Sequence, residues 1–192
     1  MTFTSDSVLD LFRRTGAYLT GHFRLTSGLH SPEYLQCAKV LQYPDHAESM
    51  GRALAAAMNV TPDVVVSPAM GGLIIGHETA RAFGVRHIFT ERDADRKMVL
   101  RRGFAITPGE KAVVIEDVIT TGGSSVEVIE LLRQLGATVI AAGSVIDRSG
   151  GKADLGVPRA ALATLTVTAF DPAQCPLCAQ GLPVVKPGSR PV

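Results

Sequence analysis

Short, continuously apolar runs rich in β-branched residues alternate along this chain with segments whose apolar residues recur at helical spacing. The runs occupy residues 64–67, 87–90, 112–116 and 138–146. Strands of this kind are typical of a parallel sheet that is covered on both faces. Helix-start and helix-end residues predict helices from Ser5 or Asp6 to Gly16, from just after Pro44 and Asp45 to about Met58, from 71 to 83 and from 122 to 135. The repeated order of strand, glycine-containing turn and helix predicts an α/β fold with an open, mainly parallel sheet flanked by helices.

The composition fits a globular protein with one hydrophobic core. Hydrophobic residues make up 46% of the chain and charged residues 19%, which provides enough apolar material for a core and excludes a disordered chain. Because a single domain commonly holds roughly 100 to 200 residues, we expect one domain that spans residues 1–192.

Charge, hydropathy and cysteine content indicate where the protein is located and which partners it does not bind. The net charge of +1 provides no overall field that would attract nucleic acid. The longest uncharged stretches have fourteen residues, whereas a membrane-spanning helix needs about 20. The N-terminal residues lack the basic segment of a secretory signal, and three cysteines are too few for a disulfide framework. We therefore expect a cytoplasmic protein that binds neither nucleic acid nor a membrane.

The segment 113–125, VVIEDVITTGGSS, combines a strand end, two carboxylates and a turn that leads into a helix. Backbone amides at a helix N-terminus favour anions, so we expect residues 120–124, the predicted phosphate loop, to bind a phosphate group. Glu116 and Asp117 precede the loop, where they would repel phosphate but bind hydroxyl groups or a hydrated divalent cation. The alternative is an ordinary acid pair that only caps the following helix.

A second turn, SPAMGGLIIG at 67–76, has the same order of strand, glycines and helix. It would supply a second set of backbone amides for an anion. Two such loops at adjacent strand ends fit a substrate with phosphate groups at both ends. Taken alone, the two glycines would mark no more than a helix start.

The first of these segments is similar to the signature of the type I phosphoribosyltransferases, which bind 5-phosphoribosyl 1-diphosphate. The resemblance implies that the acid pair holds the ribose hydroxyls and that the phosphate loop binds the 5-phosphate. The implied contacts with this substrate are Glu116, Asp117, Val118, Ile119, Thr120, Thr121, Gly122, Gly123 and Ser124. The resemblance further implies a diphosphate loop formed by Ala69, Met70, Gly71 and Gly72, with a cis peptide bond between its first two residues. It also implies Mg²⁺, held mainly by the substrate, with the acid pair as candidate protein ligands.

The segment 21–36, GHFRLTSGLHSPEYLQ, resembles the hood that covers the base in the orotate-specific members of that family. We expect residues 1–43 to form an N-terminal helix and this small hood. The run Val145–Arg148 is similar to the strand whose final arginine binds orotate, and an arginine fork suits a planar carboxylate. The resemblance thus implies that Thr120 and Arg148 contact orotate. It implies an enzyme of pyrimidine biosynthesis that converts orotate and 5-phosphoribosyl 1-diphosphate to orotidine 5-phosphate and diphosphate.

The segment 91–104, ERDADRKMVLRRGF, has a net charge of +2. The resemblance places the family's mobile catalytic loop here, which reaches across the interface of a homodimer and neutralises the departing diphosphate. It implies catalytic roles for Arg92 and Lys97 together with Asp117. The alternative is a solvated, charged hairpin without a catalytic role.

Two other functions remain open at this point. The same enzyme class could use a purine, uracil or xanthine as the acceptor base. A regulator that senses 5-phosphoribosyl 1-diphosphate could use the same fold to bind RNA or DNA, but such a protein should have a basic face or an added binding domain. The hood and Arg148 favour orotate over both.

The tail contains a Cys-x-x-Cys motif at Cys175 and Cys178. One such pair supplies two ligands, whereas a structural zinc site needs four. We therefore expect a plain turn at this motif, and the alternative is that the pair forms half of a zinc site.

Overall fold

The computed structural model describes residues 3–25 and 27–187, so both chain ends of the predicted domain and Thr26 of the hood lie outside the described residues. The helices are α1 (Ser5–Arg14), α2 (Ala38–Leu41), α3 (Pro44–Met58), α4 (Gly72–Phe83), α5 (Gly123–Gln134) and α6 (Pro176–Ala179). The strands are β1 (Tyr18–Arg24), β2 (His30–Leu35), β3 (Val64–Pro68), β4 (Arg86–Arg92), β5 (Met98–Leu100), β6 (Lys111–Ile119), β7 (Thr138–Asp147) and β8 (Arg159–Thr164). Among the described helices, none has the length and apolarity needed to cross a bilayer.

Six strands form one sheet in the order β5-β4-β3-β6-β7-β8. All neighbours are parallel except β5, which pairs antiparallel with β4. The chain therefore builds outward from β3 in one direction and from β6 in the other. Ligands of such sheets bind beyond the carboxyl ends of the strands at this switch point. The predicted open, mainly parallel α/β sheet is confirmed, and the two predicted loops follow β3 and β6.

The sheet is buried on both faces, as the continuous apolar runs predicted. In β3, Val65 faces a core cluster that contains Leu54 of α3, whereas Val64 and Val66 face a second cluster that contains Ile129 of α5. Each of these valines is fully buried. Burial of such a side chain stabilises the fold by about 1.5–3 kcal/mol, so these faces fix the strand ends that position the loops.

The N-terminal and C-terminal parts of the chain meet beside the sheet. Strands β1 and β2 form a separate antiparallel hairpin that includes most of the predicted hood. The tail after β8 runs along this hairpin, where backbone bridges join His30 to Phe170 and Phe23 to Val185. The plain turn expected at the Cys-x-x-Cys motif is instead a 3₁₀ turn at Pro172–Gln174 followed by α6.

Candidate active site

The two predicted anion loops lie side by side at the carboxyl ends of β3 and β6. A Cβ added at Gly71 would lie 2.7 Å from Cγ of Asp117, so only a glycine allows the diphosphate loop to approach this carboxylate. The peptide bond between Ala69 and Met70 is cis, which confirms the expectation from the resemblance. This close approach places Asp117, the second carboxylate of the acid pair, against the diphosphate loop.

The phosphate loop is shaped by its first glycine. Gly122 has φ of +84°, and an added Cβ would lie 2.5 Å from Cδ2 of Leu155, so both backbone conformation and space require glycine here. Helix α5 starts at the next residue, and within the described part of the chain no side chain caps it. Its first backbone amides are therefore available to an anion. The loop lines a cavity of about 350 Å³, the loop cavity, together with Ser27, Glu116, Val118 and Glu127.

The acid pair is poorly solvated. Burial, with the nearby charge of Asp117, raises the pKa of Glu116 to about 7, although a hydrogen bond from the Ser125 hydroxyl opposes the shift. Burial also raises the pKa of Asp117 above its usual value. The backbone amide of Val118, which donates to Oδ1 over 2.9 Å, opposes this rise without cancelling it. Hydroxyl donors or a divalent cation would stabilise the charged form of both carboxylates. The pair therefore fits ribose hydroxyls or hydrated Mg²⁺.

A second cavity of about 390 Å³, the hood cavity, lies between the hood and the strand ends. Its lining combines the hood, the ends of β6 and β7, and the tail: Leu25, Ser27, Tyr34, Leu35, Gln36, Asp117, Val118, Thr120, Thr121, Arg148, Val167 and Ala169. Ser27, Val118, Thr120 and Thr121 line the loop cavity as well, so the two cavities adjoin. An elongated ligand with a phosphate at one end and a planar group at the other fits this arrangement.

Arg148 presents to the hood cavity a cation that forms no ion pair with residues 3–25 or 27–187. Its backbone amide donates to the carbonyl of Ile119 over 2.8 Å, which ties the end of β7 to the end of β6. Its Nε atom is buried without a hydrogen-bond partner, and burial lowers the pKa of its guanidinium. The preceding Asp147 is already paired with Arg159 and does not neutralise it. A buried donor without a partner is costly, so the site favours a ligand with an anionic acceptor.

The segment 91–104 contributes a hairpin at the sheet edge rather than an irregular loop. Strands β4 and β5 pair from Thr90 with Leu100 to Arg92 with Met98. Arg92 forms an ion pair of 2.8 Å with Glu127, and Glu127 lines the loop cavity. The charge of Arg92 also opposes the rise in the pKa of Glu116. Lys97 is exposed and lines neither cavity. Within one described chain, the structure brings Arg92 toward the acid pair and leaves Lys97 outside.

A larger depression of about 600 Å³ lies between α3 and the C-terminal half of α4. Its charged residues pair with one another, Arg52 with Glu48 and Arg81 with both Glu48 and Glu78. Since the N-terminus of α4 is the end that meets the diphosphate loop, this depression lies away from the strand-end cavities. It offers a ligand no unpaired charge from the described residues.

Sequence reasoning missed the part of the hood cavity that comes from the tail. Val167 and Ala169 line this cavity after β8, a strand that the apolar pattern did not predict. The segment after β8, LTVTAF at 165–170, has three consecutive β-branched residues but carries no motif that would mark a ligand site. Tyr34 is the aromatic residue of a Ser-Pro-x-aromatic strand in the predicted hood, whereas nothing in the sequence distinguished Gln36 from its neighbours.

Comparison with known proteins agrees with this geometry. Residues 43–156 match the phosphoribosyl transferase domain family. The chain is 53% identical over 188 residues to the orotate phosphoribosyltransferase of Desulforamulus reducens, with 97% of this chain and 98% of that protein covered. It is 54% identical over 190 residues to the orotate phosphoribosyltransferase of Pelotomaculum thermopropionicum, with 98% and 100% covered.

Solved structures show the same architecture. The crystal structure of orotate phosphoribosyltransferase from Aeropyrum pernix superposes with a TM-score of 0.70 at 26% sequence identity, covering 82% of this chain and 93% of that one. Its sheet and loops therefore provide an experimental counterpart for the fold described above. Since relatives that share more than half of their residues with it align from end to end, the chain belongs to the orotate phosphoribosyltransferases, a family with the type I phosphoribosyltransferase fold.

Proposed function

We propose that this chain transfers the phosphoribosyl group of 5-phosphoribosyl 1-diphosphate to orotate, giving orotidine 5-phosphate and diphosphate in pyrimidine biosynthesis. The observation that supports this function best is the guanidinium of Arg148 in a cavity that adjoins the phosphate loop, because its buried Nε atom has no hydrogen-bond partner among the described residues. A carboxylate on the acceptor base would satisfy this cation with two parallel hydrogen bonds. Uracil lacks that carboxylate and would leave the cation unpaired.

The phosphoribosyl group occupies the loop cavity in this proposal. The uncapped amides of the phosphate loop bind the 5-phosphate, with hydroxyl donors from Thr120, Thr121 and Ser124. Glu116 and Asp117 accept hydrogen bonds from the ribose hydroxyls. The diphosphate lies against the loop of residues 69–72, which contacts Asp117 from the other side. The anomeric carbon is thereby held at the boundary between the two cavities.

The base occupies the hood cavity. Arg148 binds the carboxylate of orotate, and Thr120, which lines both cavities, contacts the base next to the ribose. The hood side chains, among them Tyr34, cover the base and exclude water from the reacting atoms. Transfer then competes well with hydrolysis because the acceptor nitrogen is the nucleophile held closest to the anomeric carbon.

The reaction needs no nucleophile from the protein. The bond between the anomeric carbon and the diphosphate oxygen breaks through an oxocarbenium-like state, and a ring nitrogen of orotate forms the new bond from the opposite face. The proton of that nitrogen passes to the released diphosphate or to water. Arg92 and Lys97 stabilise the negative charge that develops on the diphosphate. Asp117 keeps the ribose in place through its hydroxyls. When bound, Mg²⁺ would neutralise diphosphate charge, and the desolvated carboxylates of Glu116 and Asp117 fit a role in holding it.

Lys97 lies outside both cavities of its own chain, so we further propose that it acts on the active site of a second subunit in a homodimer. Mixing a Lys97→Ala subunit with an Asp117→Asn subunit tests this arrangement. Mixed dimers should regain activity that neither variant has alone, because one of their two sites is then intact. A loop that serves its own subunit would leave the mixture inactive. None of the three cysteines forms a disulfide, which supports a cytoplasmic location.

The proposed reaction is tested by the loss of orotate absorbance when the purified protein meets orotate, 5-phosphoribosyl 1-diphosphate and Mg²⁺, with diphosphate release measured in parallel. Uracil, xanthine and adenine replace orotate in matched reactions. We expect turnover with orotate alone, and a large loss of it in Arg148→Ala and Asp117→Asn. Diphosphate release with another base would contradict the assignment of the base. No turnover with any base would instead favour a regulator that binds 5-phosphoribosyl 1-diphosphate without reaction.

A further inference from the structure

Four potential metal ligands meet where the tail crosses the hood hairpin. They are His22 of β1, His30 of β2, and Cys175 and Cys178 around the start of α6. One ligand atom of each residue lies within 4.8 Å of the others. None of the four residues lines the hood cavity or the loop cavity, so the cluster is separate from the site of the proposed reaction.

The distances within the cluster fit a tetrahedral metal site. The Nε2 atom of His22 lies 3.6 Å from Sγ of Cys175 and 3.7 Å from Sγ of Cys178. The Nδ1 atom of His30 lies 3.3 Å from Sγ of Cys178 and 2.8 Å from Nε2 of His22. In a tetrahedron with metal–nitrogen bonds of about 2.0–2.1 Å and metal–sulfur bonds of about 2.3 Å, the nitrogen and sulfur atoms lie about 3.5 Å apart and the two nitrogens about 3.3 Å apart. The nitrogen–sulfur distances therefore fit as they stand, and the two imidazoles would separate by about 0.5 Å when the metal binds.

The surroundings of the ligands support the same conclusion. The Nδ1 atom of His22 lies 2.8 Å from the carbonyl oxygen of Leu182, so it donates its proton there and leaves the lone pair of Nε2 directed at the cluster. His30 is held by two backbone hydrogen bonds with Phe170, of 2.9 and 2.8 Å. His22, His30 and Cys175 are buried, and Cys178 closes the exposed side. Such partners orient metal-binding side chains before the metal arrives.

We propose that His22, His30, Cys175 and Cys178 bind one Zn²⁺ ion in a closed structural site that fixes the tail to the hood. Two thiolates and two imidazoles in tetrahedral geometry are typical of Zn²⁺, and four protein ligands leave no open position for catalysis. The ion thereby joins the hairpin that supplies Leu25, Ser27 and Tyr34 to the hood cavity with the tail that supplies Val167 and Ala169. This site is independent of the proposed reaction, since it requires neither substrate.

Metal analysis of the purified protein tests the site directly. After weakly bound ions are removed by a mild chelator, we expect one equivalent of zinc per chain. Replacement of zinc by Co²⁺ should give the intense visible bands of tetrahedral cobalt and a thiolate-to-cobalt charge-transfer band. A protein that holds no zinc and gives no such spectrum with Co²⁺ would overturn the proposal, as would a disulfide between Cys175 and Cys178 in the freshly purified protein.

Substitutions locate the metal. The double variant Cys175→Ser with Cys178→Ser should lose the zinc and the charge-transfer band, and His30→Asn should reduce the zinc content. Cys37→Ser and His77→Asn are the matched controls, because these residues lie outside the cluster, and both should retain one equivalent. Full zinc content in the double variant would overturn the assignment. Should the double variant fail to fold, the cobalt spectrum of the unmodified protein still decides between the outcomes.

Discussion

The loop cavity and the hood cavity adjoin, yet they are built in different ways. The loop cavity takes most of its lining from one short stretch after β6, where backbone amides and glycines determine its shape. The hood cavity takes its lining from the hood, two strand ends and the tail, and Arg148 is the one cation among its described lining residues. In the proposed function, phosphate binding therefore depends on backbone conformation, whereas selection of the base depends on one guanidinium and on the assembly of distant segments.

The largest expected effect follows removal of that guanidinium. Arg148→Ala should lower kcat/KM for orotate by about 10³-fold, because loss of one partner from a buried charge pair costs about 2–5 kcal/mol. The affinity for 5-phosphoribosyl 1-diphosphate, measured by calorimetry without orotate, should stay close to that of the unmodified protein. Arg133→Ala, which removes an exposed arginine of α5, is the matched control. Equal losses for both substrates would contradict the division of roles between the cavities.

Burial of the acid pair should make the free energy of unfolding depend on pH. Burial raises the pKa of Glu116 from 4.5 to about 7 in the folded protein. The folded state thus binds this proton more tightly, so the associated stability is complete below pH 4.5 and is lost as the pH rises through about 7. Without substrate, Glu116→Gln should therefore exceed the unmodified protein in free energy of unfolding by about 3 kcal/mol at high pH and match it at low pH.

Urea unfolding of both proteins at acidic and alkaline pH measures this difference. Glu130→Gln, which removes an exposed carboxylate of α5, should show no comparable gain at high pH because that group keeps its solvation. A Glu116→Gln variant that is no more stable than the unmodified protein above neutral pH would show that the carboxylate is not desolvated.

A smaller effect is expected from the backbone of the phosphate loop. Gly122→Ala forces a side chain onto a residue with φ of +84° and against Leu155. Such substitutions cost more than about 1 kcal/mol, so we expect KM for 5-phosphoribosyl 1-diphosphate to rise about tenfold or more. Gly84→Ala is the control, since it has a similar φ of +72° but ends α4 with open space around it. If both variants bind the substrate equally well, loop shape does not limit phosphate binding.

The smallest effect on stability is expected for the ion pair between Arg92 and Glu127. Both side chains are substantially exposed, and exposed pairs contribute less than about 1 kcal/mol. Arg92→Ala should therefore leave Tm almost unchanged while it lowers kcat, with Glu127→Ala as the control for loss of the pair. A fall in Tm without a fall in kcat would assign Arg92 a structural role only.

The sheet core and the loop cavity were predictable because each depends on residues close together in the sequence. The apolar runs of β3, β4, β6 and β7 mark buried strands, and glycines and capping residues mark the helices between them. Strand β8 escaped because its sequence, RAALAT, has no β-branched run, and its place in the sheet comes from pairing with β7. Strand β5 has only three residues and exists through its hairpin with β4.

The cluster of four potential metal ligands was even harder to predict, because its residues lie far apart in the sequence. Cys175 and Cys178 are recognisable as a pair, but His22 and His30 lie about 150 positions earlier in the chain. Two histidines in a hairpin indicate no metal by themselves. Only the crossing of the tail over the hood, which the backbone bridges at Phe170 and Val185 fix, brings the four side chains together.

The most direct test of the account is a crystal structure of the protein with orotidine 5-phosphate, since this one molecule spans both cavities. We expect its phosphate on the amides of the phosphate loop and its carboxylate in two hydrogen bonds of about 2.7–2.9 Å with the guanidinium of Arg148. The proposed roles of the two cavities would be contradicted by a complex in which the carboxylate lies away from Arg148. They would also be contradicted if the phosphate bound to the backbone of residues 69–72 instead.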